Sequence, residues 1–316
     1  GVLNFTAEVT NAHGNSGTGE YQAEIDAGIP GIRIDTVAGD DVVNLIEQGA
    51  PVVISGTVIG ANTGADVLVN VNGKDYSTTL HADGSWSVTV PATDVARWPN
   101  DALKIDASVD DPAGNTGTWQ HTIDVDLDAV AISIENVTAD NVINATEQGQ
   151  PLVLKGTTLG VEAGQTVTIL FGGHQYTTTV DENGGWHYTL SPSDMASLRE
   201  GDATVQVSVS NQNGNQAHSA QDYAVDLSAP TIVVDAVTGD NVINAAEATV
   251  GFTIQGQSNA EPGQKGQVSW NGKSYETEIQ ADGSWSVTVD ATDAAQMPQG
   301  AQQVIVTLAD KAGNST

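Results

Sequence analysis

The chain has 316 residues, of which 40 are acidic and 9 basic, with no cysteine and a formal net charge of −31. That length allows two or three domains, each with its own core. The acidic charge is spread over the whole length and excludes a nucleic-acid partner, whose phosphates need Lys and Arg; the missing thiols exclude disulfides and thiolate metal sites.

No run approaches the roughly 18 apolar residues of a membrane span, so no membrane insertion is expected. Gly1–Glu8 carry no basic stretch ahead of an apolar one, which places any targeting signal outside this segment.

Taken in chain order, the elements repeat. Residues 1–27 read as two strands around an Asn11–Asn15 turn, the last strands of a preceding repeat truncated at its start. A joint at Ile29-Pro30 follows, and from there the pattern recurs every 100 residues: Asp40, Asp140 and Asp240; Gly56, Gly156 and Gly256; Tyr76 and Tyr176; Trp86 and Trp186. In the third copy the period tightens to 99, giving Tyr275 and Trp285, so one residue is missing between Gly256 and Gly263, in a loop. A Gly-Asn dipeptide recurs at Gly14, Gly114, Gly214 and Gly313.

Within each copy apolar residues alternate with period two, as in Val167-Ile169-Phe171 and Trp285-Val287-Val289, the mark of half-buried antiparallel strands. Asn-Gly and Asp-Gly turns separate them, at Asn72, Asp83, Asn183, Asn271 and Asp282. About seven short strands in about 100 residues fit an immunoglobulin-like β-sandwich. The expected fold is all-β, tandem immunoglobulin-like sandwiches forming an elongated rod, with domains over 28–127, 128–227 and 228–316, the last without its final strand. Ser191–Leu198 reads as the one helical turn per copy.

In such a sandwich the first strand runs away from the preceding joint, so the loop after it lies at the far pole, where the last strand also ends. The turn between the last two strands sits at the near pole and faces the preceding domain. Each joint therefore gathers oxygen atoms from three segments. Between the first two copies these are Asp40, Asn44, Glu47, Asp126 and Asp128, with Asn211 opposite; between the second and third, Asp140, Asn144, Glu147, Asp226 and Asp310. The entry joint offers Asp26 and Asp111, and the far pole of copy three offers Asp240, Asn244 and Glu247 alone, which makes that set the weakest.

Carboxylates, amides and carbonyls on flexible loops suit Ca2+, which takes six to eight oxygens, better than Mg2+ or Zn2+; the six histidines occupy no recurring positions. A plainer reading stands beside this one. Asn44 and Glu47 have the spacing of a helix-capping box, and the Asp-x-x-Gly-Asn turns are ordinary turn sequences whose Asx side chains bond their own backbone. Capping leaves the Asp four residues before each Asn unexplained. Asp35, Glu135 and Asp235 read as solvated strand positions, and the recurring Trp and Tyr as core.

The segments Val225–Pro230, Thr238–Glu247, Ala281–Val289 and Asp310–Asn314 together resemble the tandem bacterial immunoglobulin-like repeats of giant secreted adhesins of the RTX type, over the whole chain. The resemblance implies type I secretion, a calcium-bound stalk on a bacterial surface, neighbouring repeats of the same chain as partners, and an adhesive tip for a host-cell surface. The joints depart from one another, since copy one enters through Asp26-Ala27-Gly28-Ile29-Pro30 and copy two through Asp126–Val130 without a proline.

No Gly-x-Ser-x-Gly elbow, phosphate loop or His-Glu-x-x-His helix is present, so no enzyme is expected. The alternative is a binding module that grips host glycans through an aromatic such as Trp119, which has no counterpart in the other copies. An open third copy and orphan strands at the start further suggest head-to-tail strand addition between molecules through Thr18–Ile25.

Overall fold

The computed structural model describes Gly1–Thr316. It forms two compact units, one of residues 1–129 with 211–215, the other of residues 130–210 with 216–316.

The first unit opens with a hairpin, Val2–Thr10 against Ser16–Glu24, in which Thr18 faces Glu8 and Glu24 faces Val2. Thr18–Glu24 thus takes its partner strand from its own chain. A sandwich follows. One sheet orders Gly31–Ile34, Val52–Ile59 and Ser85–Val90; the other orders Val42–Val43, Thr116–Val125, Leu103–Asp110, Asp66–Val71 and Lys74–Thr79. All pairings are antiparallel except Val42–Val43, which runs parallel to the end of Thr116–Val125, Val43 beside Val125. The period-two alternation survives as alternate burial: in Val52–Ile59 the residues Val52, Ile54, Gly56 and Val58 face inward. Ile54, Val67, Val69, Val90 and Ile105 make a core with no exposure at all.

The recurring Gly and Trp are one feature. Gly56 pairs across the sheet with Trp86, Gly156 with Trp186 and Gly256 with Trp285. A Cβ on Gly56 would stand 1.9 Å from the Arg33 carbonyl oxygen and 2.6 Å from the Trp86 ring; Gly156 and Gly256 meet Ser133 and Val233 at the same 1.9 Å. Each indole fills its core by lying on a backbone that has no side chain.

The second unit holds two such sandwiches with separate cores, one around Phe171, Trp186, Leu190 and Tyr223, the other around Ile254, Val268, Trp270 and Trp285. The first repeats the three- and five-stranded sheets, again with a parallel edge, Val142–Asn144 beside Gln216–Asp226. The other has two three-stranded sheets, Ile232–Val234, Phe252–Ser258 and Ser284–Val289, and Lys273–Glu278, Lys265–Trp270 and Val304–Leu308.

The single expected helical turn per copy is corrected to two. Ala92–Val95, Pro192–Met195 and Ala291–Ala294 match the expected one. The others are Leu45–Gln48, Ala145–Gln148 and Ala245–Val250, each begun by an Asn. Asn44, Asn144 and Asn244 accept the amides of the second and third helical residues, and Glu47, Glu147 and Glu247 accept the cap's own N–H, a complete capping box in all three copies. The aspartate left over by capping begins the preceding turn: Asp40 accepts from Val42 N, Asp140 from Val142 N and Asp240 from Val242 N.

Candidate joint sites and their relatives

The closing strand of the first sandwich ends on Val125, one residue before Asp126, and that of the second ends on Asp226, where parallel pairing puts Asn144 directly beside it. Register therefore delivers the capped helix start and the strand-end aspartate to one pole. The third segment is an Asx-x-x-Gly-Asn turn. In Asn211–Asn215 the Asn211 side chain accepts from Asn213 N and Asn215 N; in Asp310–Asn314 the Asp310 carboxylate accepts from Asn314 N at 2.8 Å. The turns are buried: Asp111, Asn211, Asn215, Asp310 and Asn314 account for all but one of the chain's buried polar side chains.

The last residue of each turn bridges two segments. Asn215 accepts from Leu45 N at 2.8 Å through Oδ1 and donates from Nδ2 to the Asp126 carbonyl at 3.1 Å. Asn314 accepts from Ala145 N at 2.9 Å and donates to the Asp226 carbonyl at 2.9 Å. Asn115 donates to the Asp26 carbonyl at 3.2 Å. Leu45 N and Ala145 N are first-turn helix amides with no acceptor inside their helices, so each asparagine completes a helix start. Asn144 adds a bond from Nδ2 to the Ala312 carbonyl at 2.8 Å.

The sequence reading placed Asn211 opposite Asp126 and Asp310 opposite Asp226, and the structure puts both there: Asn211 Nδ2 lies 3.3 Å from Asp126 Oδ2, and Asn314 Nδ2 spans Asp226 O and Asp310 Oδ2. It missed Asn115, Asn215 and Asn314, although their recurrence in register was visible. It also missed Asn213, which donates to Asp126 Oδ2 at 2.6 Å, and Asn100, which takes Leu127 N at 2.7 Å and holds Asp128 Oδ1 at 2.7 Å.

Burial works to raise the Asp126 carboxyl, but donors from Asn213, the Asp128 amide, Asn211 and Asn215 outweigh it and hold the group below the ordinary carboxylate range. Asp111 is lowered chiefly by the Asn115 side chain, against burial and with help from turn amides. The donor atoms are hard oxygens throughout, the set a calcium ion takes. No three acidic or histidine side chains converge on one point, and Asp40, Asp140 and Asp240 spend an oxygen on their local turns. Asp310, although buried, takes part in none of the chain's salt bridges.

Trp119 is 43% exposed. It pairs with Ala107, whose side chain is in the core, so the indole belongs to the inward row of its sheet and emerges at the margin. Trp119 nonetheless lines a shallow depression on this sheet, together with Leu68, Asn70, Asp106, Thr118 and Gln120.

No family model matches the chain, and no curated protein sequence matches it. Among solved structures, it is 32% identical to a segment of a 1.5-MDa bacterial ice-binding adhesin described for host cell surface retention, over 91% of this chain and 94% of that one, with a TM-score of 0.46. It is 31% identical to a Ca2+-stabilized adhesin with which an Antarctic bacterium binds ice, over 100% of this chain and 79% of that one, TM-score 0.47. A single bacterial immunoglobulin-like domain of the M. primoryensis ice-binding adhesin is 33% identical over 31% of this chain and 96% of its own, TM-score 0.26. With 32% identity over 91% of this chain and 94% of the first of these relatives, this protein belongs to the immunoglobulin-like repeats of giant bacterial adhesins.

Proposed function

We propose that this chain is a stalk segment of a giant surface adhesin, of the kind of the giant non-fimbrial adhesins, exported by type I secretion and stiffened by calcium at its joints. The stalk carries a distal adhesive tip to host cells and so serves virulence. One observation carries the reading: at Asp26 and Asp226 a joint aspartate is bonded through its carbonyl to a turn that brings in a second, buried aspartate, Asp111 or Asp310. A relative described as Ca2+-stabilized supports the choice of ion.

The residues that would hold the ion are Asp226, Asp310, Glu147, Asn144 and Asp140 at one joint and Asp26 with Asp111 at another. Bound there, calcium supplies positive charge and oxygen bridging between segments whose own carboxylates repel. Asp240, Asn244 and Glu247 offer the same half-site at the far pole of the third sandwich. Affinity on the order of 10⁻⁴ to 10⁻³ M, typical of extracellular modules, fills such sites outside a cell and leaves them empty inside.

Small-angle scattering with and without chelator tests the reading. Loosened joints with the sandwiches still folded are expected; an unchanged maximum dimension sinks it. The direct glycan-binding alternative rests on the exposure of Trp119, and a glycan array on this chain decides it, since a bare stalk retains no sugar.

A further inference from the structure

We infer that the Asn211–Asn215 turn is locked onto Asp126 by the chain's own asparagines and stays in place without a cation, unlike the Asp310–Asn314 turn at Asp226. The second half of this statement rests on the calcium reading above; the first stands on hydrogen bonds alone.

At Asp126 the acceptors are already taken. Oδ1 accepts from Asp128 N at 2.9 Å, Oδ2 from Asn213 at 2.6 Å and Asn211 at 3.3 Å, and the carbonyl from Asn215 at 3.1 Å. Asn100 clamps the following two residues from the other side, through Leu127 N and Asp128 Oδ1. Asn211 is 6% exposed and Asn215 not at all, so water competes poorly for these bonds. Amide N–H groups aimed at a carboxylate do there what a cation does elsewhere, and an ion entering this joint has to displace them.

One repeat later the same positions read differently. Glu200 stands for Asn100, Asp310 for Asn211, Ala312 for Asn213 and Ser228 for Asp128, and only Asn314 is kept. The Asp226 side chain accepts from Ser228 N at 3.2 Å, while Glu200 accepts from the Ser228 hydroxyl. Asp310 still accepts from Asn314 N and Nδ2, at 2.8 and 3.1 Å, but Asp226 has lost the side-chain amides that Asn211 and Asn213 give Asp126 and gained Glu200 and Asp310 as acidic counterparts. The entry turn is of this second type, with Asp111 and Ala113.

Hydrogen exchange at two amides reports on the two turns in the full chain, since Leu45 N donates to Asn215 and Ala145 N to Asn314. Exchange is compared in millimolar calcium and in excess chelator. The Leu45 rate should stay the same, and the Ala145 rate should rise about tenfold or more on chelation.

Exchanging the turns should exchange the behaviour. Asn211→Asp with Asn213→Ala makes the Leu45 rate rise in chelator and fall in calcium, and Asp310→Asn with Ala312→Asn makes the Ala145 rate insensitive. Circular dichroism confirms that each variant is folded. If both native amides exchange faster on chelation, the asparagine lock is overturned and the calcium reading stands. If neither native amide responds, the calcium reading falls; the lock is then judged on the Asn211→Asp/Asn213→Ala variant, supported by faster exchange at Leu45 in chelator and overturned by an unchanged rate.

Discussion

Replacing Asn215 by alanine removes one side chain and two bonds, the 2.8 Å bond from Leu45 N and the 3.1 Å bond to the Asp126 carbonyl. Asn215 is fully buried, so the cavity left behind does not fill with solvent that could replace both partners. Leaving a buried donor or acceptor unpaired costs about 1 to 3 kcal/mol. Two such groups, one only partly buried, put the loss at roughly 2 to 4 kcal/mol, confined to the joint because Asn215 belongs to no sandwich core. The sensitive observable is hydrogen exchange at the Leu45 amide, which should quicken about 30- to 700-fold, since about 1.4 kcal/mol is tenfold. Amides of Ile54 and Ile105, deep in the core, should not change. Asn215→Asp keeps an acceptor for Leu45 N but turns a donor to Asp126 into a repelling acid, so it should restore only part of the protection. Asn15→Ala, in the exposed counterpart turn, is the control. Unchanged exchange at Leu45 in Asn215→Ala would refute the assignment of Asn215 as the residue that completes the helix start.

Other expectations concern the sandwiches. Gly56→Ala should destabilise the first sandwich by about 3 kcal/mol or more, because its Cβ would fall 1.9 Å from a backbone oxygen that cannot retreat, read by urea unfolding. Asn44→Ala removes a complete capping box and should cost about 1 kcal/mol in the same assay. Toward acid, the lowered carboxyls of Asp111 and Asp126 contribute stability that is fully present above the ordinary carboxylate value and is lost as pH falls through their depressed ones. The thermal midpoint should therefore hold near neutrality and drop below about pH 4. Toward alkali the sign reverses: burial, with the Asp94 carboxylate, pushes Tyr76 up to about 12, and burial pushes Tyr223 up to about 12. Their stabilisation is present below the ordinary tyrosine value and fades as pH rises toward about 12, visible as delayed phenolate absorbance.

What the sequence revealed follows a physical division. Alternating strands, Asn-Gly turns such as Asn72-Gly73 with both residues at positive φ, and the Gly56–Trp86 couple are local or strictly periodic, and one chain with three copies displays them. The placement of Asn211 and Asp310 at the joints came from topology, because a sandwich with known strand order brings its poles together. Asn100 and Asn213 were hidden, since neither recurs and an amide's partner 27 or 87 residues away leaves no local mark. Asn215 and Asn314 recur but sit in a turn motif that already explains an Asn. The second helical turn is legible in the Asn44–Glu47 capping-box spacing, but the same Asn and Glu also suit an ion, so spacing alone does not choose between the two readings.

The central claim is that calcium sits where the aspartate closing a sandwich meets a turn that itself begins with an aspartate, as at Asp226 and Asp310. Crystals grown in millimolar calcium and measured at long wavelength locate the ion by its anomalous scattering. The account predicts a peak about 2.3 to 2.6 Å from oxygens of Asp226 and Asp310, with none at Asp126. A map with no peak at Asp226 and Asp310, at a calcium concentration well above the expected affinity, would contradict it.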